Sequence, residues 1–526
     1  MRLEKINWLL NNWQEYIPRN SLVILYVAAL LIAVLCIHNF FNRTKDFPMV
    51  DMPTVSDFRS ALVKGVTSYP NTPFYIPNKP RILILPKSSI QDIKSYTDEE
   101  ASFDAVLKSQ YHPKVTRFGE SDPVLINVVK NDISRQVASS LMFLQDEAAY
   151  SFNQKLGPCE DWTSFVLYPK IADIIALVSG RVFVGRPLSR NTDWVATTVN
   201  YTFEITKAKN ALSAWPSWIV SIIGPHLKQV KSLNKFRDRA ADLVKPILNA
   251  HLAKEGNEKL YSDEGDEIGN VISWLLARMG TDERKDPTKI VNELLILSFA
   301  AIHTTTNTFF QAILDLATYR QYIPILIDEI NKVILEDGCD ISDDGVLRMR
   351  KSSMPKLAKL DSFIKESHRV NPLGLISHFR KVMSDVTISS GHTIRKGTVI
   401  GIPSWFIHNN SDALFSPGIT KPLNEFDGLR FYNLRQLAGN ENRHLFVATS
   451  PESLAFGHGN HACPGRFFAG NELKVVMIEL LRNWDFRLPG DDKLEGGIWR
   501  RPKNTDYKAE CRPDPLARLE FRRKKR

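Results

Sequence analysis

Cysteine is scarce in this chain, and what there is does not pair. The 526 residues hold five, Cys36, Cys159, Cys339, Cys463 and Cys511. They are scattered, odd in number and never spaced Cys-x-x-Cys. That excludes a disulfide framework and the paired thiols of a zinc finger, and it points to a reducing compartment. Long runs of one charge are missing too, apart from Arg522-Arg523-Lys524-Lys525-Arg526. No aromatic residues interleave with that run, as a surface for nucleic-acid strands requires, so it reads as a solvated end and no nucleic-acid partner is expected. The net charge of +10 suits plain solubility or contact with anionic surfaces, lipid headgroups among them. The length allows one large domain or two ordinary ones.

One long apolar run is present. Residues 22–37 read LVILYVAALLIAVLCI and continue to Phe40 and Phe41. With its flanks the run is about 20 residues, the length of a bilayer-spanning helix. A cleaved signal peptide would be shorter and end in a small-residue cleavage site. A core helix would carry a polar face. Residues 1–20 are therefore expected to form an N-terminal segment and 21–41 a retained transmembrane anchor. The flanking charges, Arg2, Lys5 and Arg19 against Arg43 and Lys45, balance too closely to set its orientation. Pro48 and Pro53 mark 42–60 as a stiff hinge. Phe74–Pro77 and Arg81–Pro86 read as short edge strands, and from about residue 122 the pattern is mainly helical. Trp215 and Trp218 flank Pro216 in an apolar stretch, closed by Pro225, that suits either a core helix or an exposed, membrane-facing patch. The charge-rich residues 252–290 read as a surface loop or frayed helix.

Three stretches carry chemistry. The first is Phe456-Gly457-His458-Gly459-Asn460-His461-Ala462-Cys463-Pro464-Gly465. Its glycines allow a sharp turn and close approach to something flat or bulky. Pro464 leads into a helical run, so Cys463 is expected just before a helix N-terminus, whose partial charge favours a thiolate. A lone cysteine is more often a small buried hydrophobe than a ligand, but the spacing Phe456-x-x-Gly459-x-x-x-Cys463-x-Gly465 gives each fixed residue a mechanical reason. The second lies in a long helix predicted from Lys289 to about Tyr319 and reads Ala300-Ala301-Ile302-His303-Thr304-Thr305-Thr306. Three β-branched residues inside a helix break a local rule, and a hydroxyl bonding back one turn bends it, which hints at function. The third is a helix ending before Pro372, with Glu366 and Arg369 three apart on one face. Beyond it, Val386–Ile388 and Thr398–Ile400 around Gly391 and Gly397 read as a β-hairpin.

The cysteine stretch closely resembles the haem-binding loop of cytochrome P450 monooxygenases, and its continuation Arg466-Phe467-Phe468-Ala469 is similar to filamentous-fungal members. With the segment around Arg430 as a fourth motif, these stretches occur in that family's order. The resemblance implies a mainly α fold with small β-sheets, a single domain over 61–526 behind the transmembrane helix. It implies haem held by the thiolate of Cys463, with Phe456, Gly457 and Gly465 shaping the loop. His461 stands where the family usually pairs an arginine with a haem propionate, and Arg380 aligns with a second propionate partner. Lys130, on the helix expected to cross one haem face, reads first as a solvated lysine, and Leu125 replaces a histidine common in fungal relatives. Thr304 matches the hydroxyl that holds dioxygen and relays protons. His303 replaces the usual acid beside it, and as a lone histidine it also reads as packed or solvated. Glu366, Arg369 and Arg430 match a buried structural triad, although Gly428-Leu429 replaces the usual Pro-Glu before Arg430. The turn Pro372–Ile376 should border an apolar substrate cavity.

The implied partners are NADPH–cytochrome P450 reductase, membrane lipids, O2 and a small apolar substrate, with the chain in the endoplasmic reticulum membrane and its catalytic domain cytosolic. Fungal similarity suggests a terpenoid or terpenoid-hybrid intermediate of secondary metabolism. One rival is a haem-thiolate isomerase or dehydratase, whose members often lose the relay threonine. The other is a non-catalytic metal-binding scaffold using His458, His461 and Cys463, for which a second ligand pair is lacking.

Overall fold

The computed structural model describes residues 26–34, 47–77, 81–120, 122–137, 139–253, 270–284, 286–490 and 498–525. Its contacts divide the chain into two units, Met1–Met49 and Val50–Arg526. In the first, residues 26–34 form a helix on which every side chain is exposed, Tyr26, Leu30 and Ile32 included. The rest of the expected anchor and the segment before it lie outside the described residues. Among the described residues no helix is long and apolar enough to cross a membrane. In the second unit the expected hinge ends early, because Phe58–Ser68 is already helical and buries Phe58 and Leu62.

The second unit is mainly helical. Its principal helices are α1 (Leu141–Leu156), α2 (Leu167–Phe183), α3 (Thr192–Leu212), α4 (Lys228–Ala253), α5 (Pro287–Thr318), α6 (Tyr322–Asp337), α7 (Ala358–Val370) and α8 (Arg466–Asn483). Around α5 pack α2, α3, α4 and α7. The reason is in its composition. Asp286 caps the first turn, its carboxylate accepting from Thr288 N–H at 2.9 Å, and Pro287 fills the position where a missing N–H costs nothing. From there the helix is apolar nearly all round, which only a buried helix can be. Phe309 and Phe310 are fully enclosed, each worth about 1.5–3 kcal/mol of transfer from water. The helix runs unbroken through Thr304, Thr305 and Thr306, although only the first of these hydroxyls bonds back within it; Thr305 acts on Glu472 of α8, and Thr306 Oγ1 is buried without a partner. Thr304 Oγ1 donates to the Ala300 carbonyl at 2.7 Å, and Thr308 Oγ1 to the Thr304 carbonyl at 3.0 Å.

The largest sheet holds β1 (Phe74–Ile76), β2 (Ile82–Ile84), β3 (Ala101–Ser102), β4 (Ser377–Val382) and β5 (Val399–Ile402), in the order β1-β2-β5-β4-β3. Two expectations are corrected here. Only β1 of the first pair is an edge strand; β2 lies inside the sheet, parallel to β5, and is buried throughout. The hairpin expected between 386 and 400 divides. Val386–Thr387 pairs with Thr393–Ile394, whereas β5 pairs with β4 and β2. An apolar run shows that a strand forms but not which distant edge will satisfy its N–H groups. A smaller hairpin, β6 (Thr505–Tyr507) with β7 (Glu510–Arg512), turns back toward Gly374.

Two readings of composition also change. Val271–Arg278, inside the stretch read as surface loop or frayed helix, is a helix that buries Val271, Ile272 and Leu275. The tryptophan stretch is exposed: Trp218 and Ile222 on the short helix Ser217–Ile223 keep 60% and 67% of their surfaces in solvent.

Candidate active site

The cysteine loop is closed by its own backbone. Cys463 N–H donates to the Phe456 carbonyl at 2.7 Å, and Arg466 Nη1 to the Cys463 carbonyl at 2.7 Å. Gly457 and Gly459 both take left-handed φ, +72° and +76°. At Gly459 a Cβ would lie 2.7 Å from Lys94 Cβ and 3.0 Å from the Lys94 carbonyl, so here glycine is demanded by both backbone and packing. Phe456 anchors the start of the loop, edge-on to Phe446 with ring centres 5.1 Å apart.

Gly465 differs. Its φ is an ordinary −85°, and a Cβ would meet only Val129 Cγ1, at 3.8 Å. Nothing in the folded chain requires glycine there. The face it leaves bare is a cradle that a side chain would fill, beside the thiol.

α8 starts at Arg466, as expected, and the N–H groups of Gly465 and Arg466 hydrogen-bond toward the Cys463 sulfur. The expected thiolate shift is nevertheless reversed. Burial pushes the Cys463 thiol up and outweighs those two N–H groups and the Arg466 charge. The protein alone does not ionise this sulfur. A coordinated metal cation does, since it deprotonates a coordinating thiol outright. Among the described residues no group of three or more His, Cys, Asp or Glu could hold a metal ion unaided. One sulfur donor beside a bare glycine face suits a metal that brings its own ligands, and haem is such a group.

A basic cluster stands beside the loop. Arg380 on β4 is 5% exposed, with Nη1 donating to the Phe379 carbonyl at 2.7 Å. It has no carboxylate within ion-pair distance among the described residues, and burial pushes its pKa down to about 10, with only Asp98 acting the other way. His461 is also pushed down, by burial and then by Arg380 and Lys130. Lys130, on the π-helical turn Val128–Ile133, is exposed, in keeping with its reading as a solvated lysine, and its charge also acts on His461. A buried guanidinium with so little counter-charge is costly unless an anion joins it, and a carboxylate such as a haem propionate satisfies it.

On the distal side, α5 opens at its middle. Between Ile290 and Thr318 only Ala300 is exposed, and Phe299, Ala301, His303 and Thr304 around it are half-buried. His303 stacks on Phe299, ring centres 5.8 Å apart. Burial lowers its pKa, with Glu510 opposing and Lys209 and Arg512 reinforcing, so the ring is neutral at physiological pH. Glu510 and Lys209, which act on His303, also line a cavity of about 270 Å³ walled by Val106, Leu107, Ile376, Phe379 and Val399, with Gly374 from the turn expected to border it; no residue of α5 or of the cysteine loop lines it.

Glu366, Arg369 and Arg430 meet as anticipated. Arg369 grips Glu366 with two bonds of 2.7 and 2.8 Å, and Arg430 Nε donates to the same carboxylate at 3.2 Å. Arg430 also donates to the carbonyls of Lys421, Pro422 and Glu425 at 2.6, 3.0 and 3.0 Å, so Gly428-Leu429 does not disturb the triad.

Two buried acids went unnoticed in the sequence. Asp315 on α5 holds Arg501 at 2.5 Å, Ser367 at 2.6 Å and Asn371 at 3.0 Å. Glu472 on α8 accepts from Ser179 of α2 at 2.5 Å, with Thr305 of α5 also acting on it, and burial raises its pKa to about 8. Neither has a nearby partner in the chain that could have signalled it.

The cytochrome P450 family model matches residues 147–508. The chain is 40% identical to "Cytochrome P450 monooxygenase ascG" of Acremonium egyptiacum, over 95% of both chains. It is 36% identical to "Cytochrome P450 monooxygenase BOA4" of Botryotinia fuckeliana, over 94% of this chain and 95% of that one. A solved structure described as "Retinoic acid bound cyanobacterial CYP120A1" shares the fold, with a TM-score of 0.61 at 15% identity, covering 91% of this chain and 99% of that one. A lone thiol beside a bare glycine, a buried cation short of an anion and a helix opened at its threonines find one explanation in these matches: the chain belongs to the cytochrome P450 family and is a haem-thiolate monooxygenase.

Proposed function

We propose that Cys463 is the axial ligand, that Arg380, His461 and Lys130 face the propionates, and that the Thr304 hydroxyl relays protons during oxidation of an apolar substrate. The observation that carries this reading is the contrast among the loop glycines: Gly457 and Gly459 are explained by the chain itself, and Gly465, beside the thiol, is not. Haem held by a thiolate activates O2 and puts one of its atoms into the substrate. The protein supplies position, exclusion of water and protons. Thr304 Oγ1, which donates to the Ala300 carbonyl, would be the group that passes a proton toward the reacting centre and is resupplied by water. His303 is neutral and stacked, which favours packing over proton supply. The Glu366–Arg369–Arg430 triad holds the segment before the loop and takes no part in the chemistry.

Electrons would come from NADPH through a reductase, the usual route in the family. Anchoring in the endoplasmic reticulum membrane, catalytic domain cytosolic, is supported by the apolar run 22–37, by the exposed helix 26–34 and by exposed Trp218 and Ile222, since tryptophan favours the headgroup level. The apolar cavity and the resemblance to fungal members support a terpenoid or terpenoid-hybrid intermediate of secondary metabolism as substrate. Retention of Thr304 disfavours an isomerase or dehydratase. The test is to incubate microsomes holding the chain, its reductase and NADPH with a panel of terpenoid scaffolds. NADPH-dependent gain of one oxygen in a product supports the reading. Conversion that proceeds without NADPH supports the isomerase.

A further inference from the structure

The cavity that Gly374 borders is apolar on most of its wall and cationic at one end. Lys209, from the last turn of α3, and Lys508, from the tip of the β6–β7 hairpin, both line it. The one carboxylate lining it, Glu510, is already engaged elsewhere. Its Oε2 takes Arg512 Nε at 2.9 Å and Nη2 at 2.5 Å. Its Oε1 forms a long ion pair with Lys209 Nζ at 3.8 Å, so Lys209 and Arg512 share this one carboxylate. Lys508 forms no ion pair among the described residues; its ammonium lies 5.7 Å over the Tyr507 ring.

The backbone shows that Lys508 is held there against a cost. Its φ of +53° is left-handed, which for a residue with a Cβ costs on the order of 1 kcal/mol. The tip is pinned on both sides, with Lys508 N–H donating to the Val55 carbonyl at 3.0 Å and Leu375 N–H to the Ala509 carbonyl at 2.7 Å. Glycine or asparagine would fit this turn more easily. Strain retained at a cavity wall is a pointer to a binding role. Lys209 adds to it. The ammonium, 5.5 Å over the Tyr111 ring, is a half-buried cation on the same cavity. Burial lowers its pKa, Glu510 acts against that, and Lys508 and Arg512 reinforce it.

We propose that the substrate carries a carboxylate, held by Lys209 and Lys508 at this end of the cavity while its apolar body lies along Val106, Leu107, Ile376, Phe379 and Val399. This rests on the reading of the cavity as the substrate site of a monooxygenase. A carboxylate completes a charge arrangement in which three cations face one engaged acid. A charge-assisted hydrogen bond in such a place is worth enough to favour an acid over its ester about ten-fold or more. The same anchor fixes the distance from the acid to the oxidised carbon and so selects the position attacked.

The test uses the purified full-length holoprotein, first checked for the thiolate-type carbon monoxide spectrum. Loss of that spectrum would defeat the monooxygenase reading itself and is scored separately. Farnesoic acid and dodecanoic acid, each paired with its methyl ester, are titrated at neutral pH, and the spin-state change of the haem absorption is read as an apparent Kd. The expected result is that at least one acid binds about ten-fold tighter than its ester, that the preference shrinks with added salt, and that Lys209→Met and Lys508→Met each narrow it. On protein with an intact spectrum, esters equal to or tighter than their acids, or no acid binding at all, overturns the proposal. The wild-type comparison stands alone if either variant fails to fold.

Discussion

Thr304 spends its proton on a carbonyl of its own helix in the resting protein, yet it is one of the few residues of α5 that solvent can reach. That combination suits a relay, because the bond to Ala300 holds the hydroxyl ready without trapping it. Thr304→Ala should leave haem binding intact and uncouple turnover, so that NADPH oxidation continues while product per NADPH falls several-fold. Unchanged coupling would remove Thr304 from the mechanism. Glu472 poses a different question at the same scale. Its pKa of about 8 lies above the ordinary 4.5, so the folded protein binds a proton there that the unfolded chain releases. The stability this adds is full below pH 4.5 and is lost as pH rises through 8, by up to about 1.4 kcal/mol per pH unit between the two. Glu472→Gln keeps the hydrogen-bonding shape without the titration. Its melting temperature relative to wild type should therefore improve from pH 6 to pH 8, measured by calorimetry in that window. A constant difference across the window would mean that the carboxyl does not titrate there.

At the scale of elements, the loop before α8 depends on two kinds of glycine, and they should fail differently. Gly459→Ala forces a Cβ into the Lys94 backbone at a left-handed φ, and should cost roughly 1–3 kcal/mol of stability with or without haem. Gly465→Ala meets only Val129 and should leave the melting point of the haem-free protein unchanged while reducing haem uptake on reconstitution with hemin. If both variants lose the same stability without haem, Gly465 serves the chain and not a cofactor. Much of this element-level picture was legible in advance. The helical period marks α5 and α7, and Pro372 marks where α7 ends, whereas the pattern puts the start of α5 at Lys289 and it lies at Pro287, capped by Asp286. The cysteine loop was legible from spacing, and the Glu366 triad from resemblance. Pairing over distance was not. β5 satisfies its backbone on β2 and β4, and Glu472 meets Ser179 across 293 residues of sequence, because periodicity records which face is buried and not what covers it. The Cys463 shift was misjudged for a related reason: a helix N-terminus can be read from sequence, but the burial that overrides it cannot.

From Val50 onward the chain is a helical body whose longest described helix, α5, carries three consecutive threonines. With α2, α3, α4 and α7 packed around it, α5 exposes only Ala300 between Ile290 and Thr318, one turn before Thr304. Everything assigned to this fold then depends on one sulfur, that of Cys463, bonding iron. The most direct measurement is the carbon monoxide difference spectrum of the reduced full-length holoprotein, compared with Cys463→Ser and with Cys511→Ser as control. Wild type and Cys511→Ser should show the long-wavelength absorption band of a thiolate-ligated haem, and Cys463→Ser should lack it even when haem is bound. A band that survives in Cys463→Ser, or a haem-loaded wild type without it, would contradict the account.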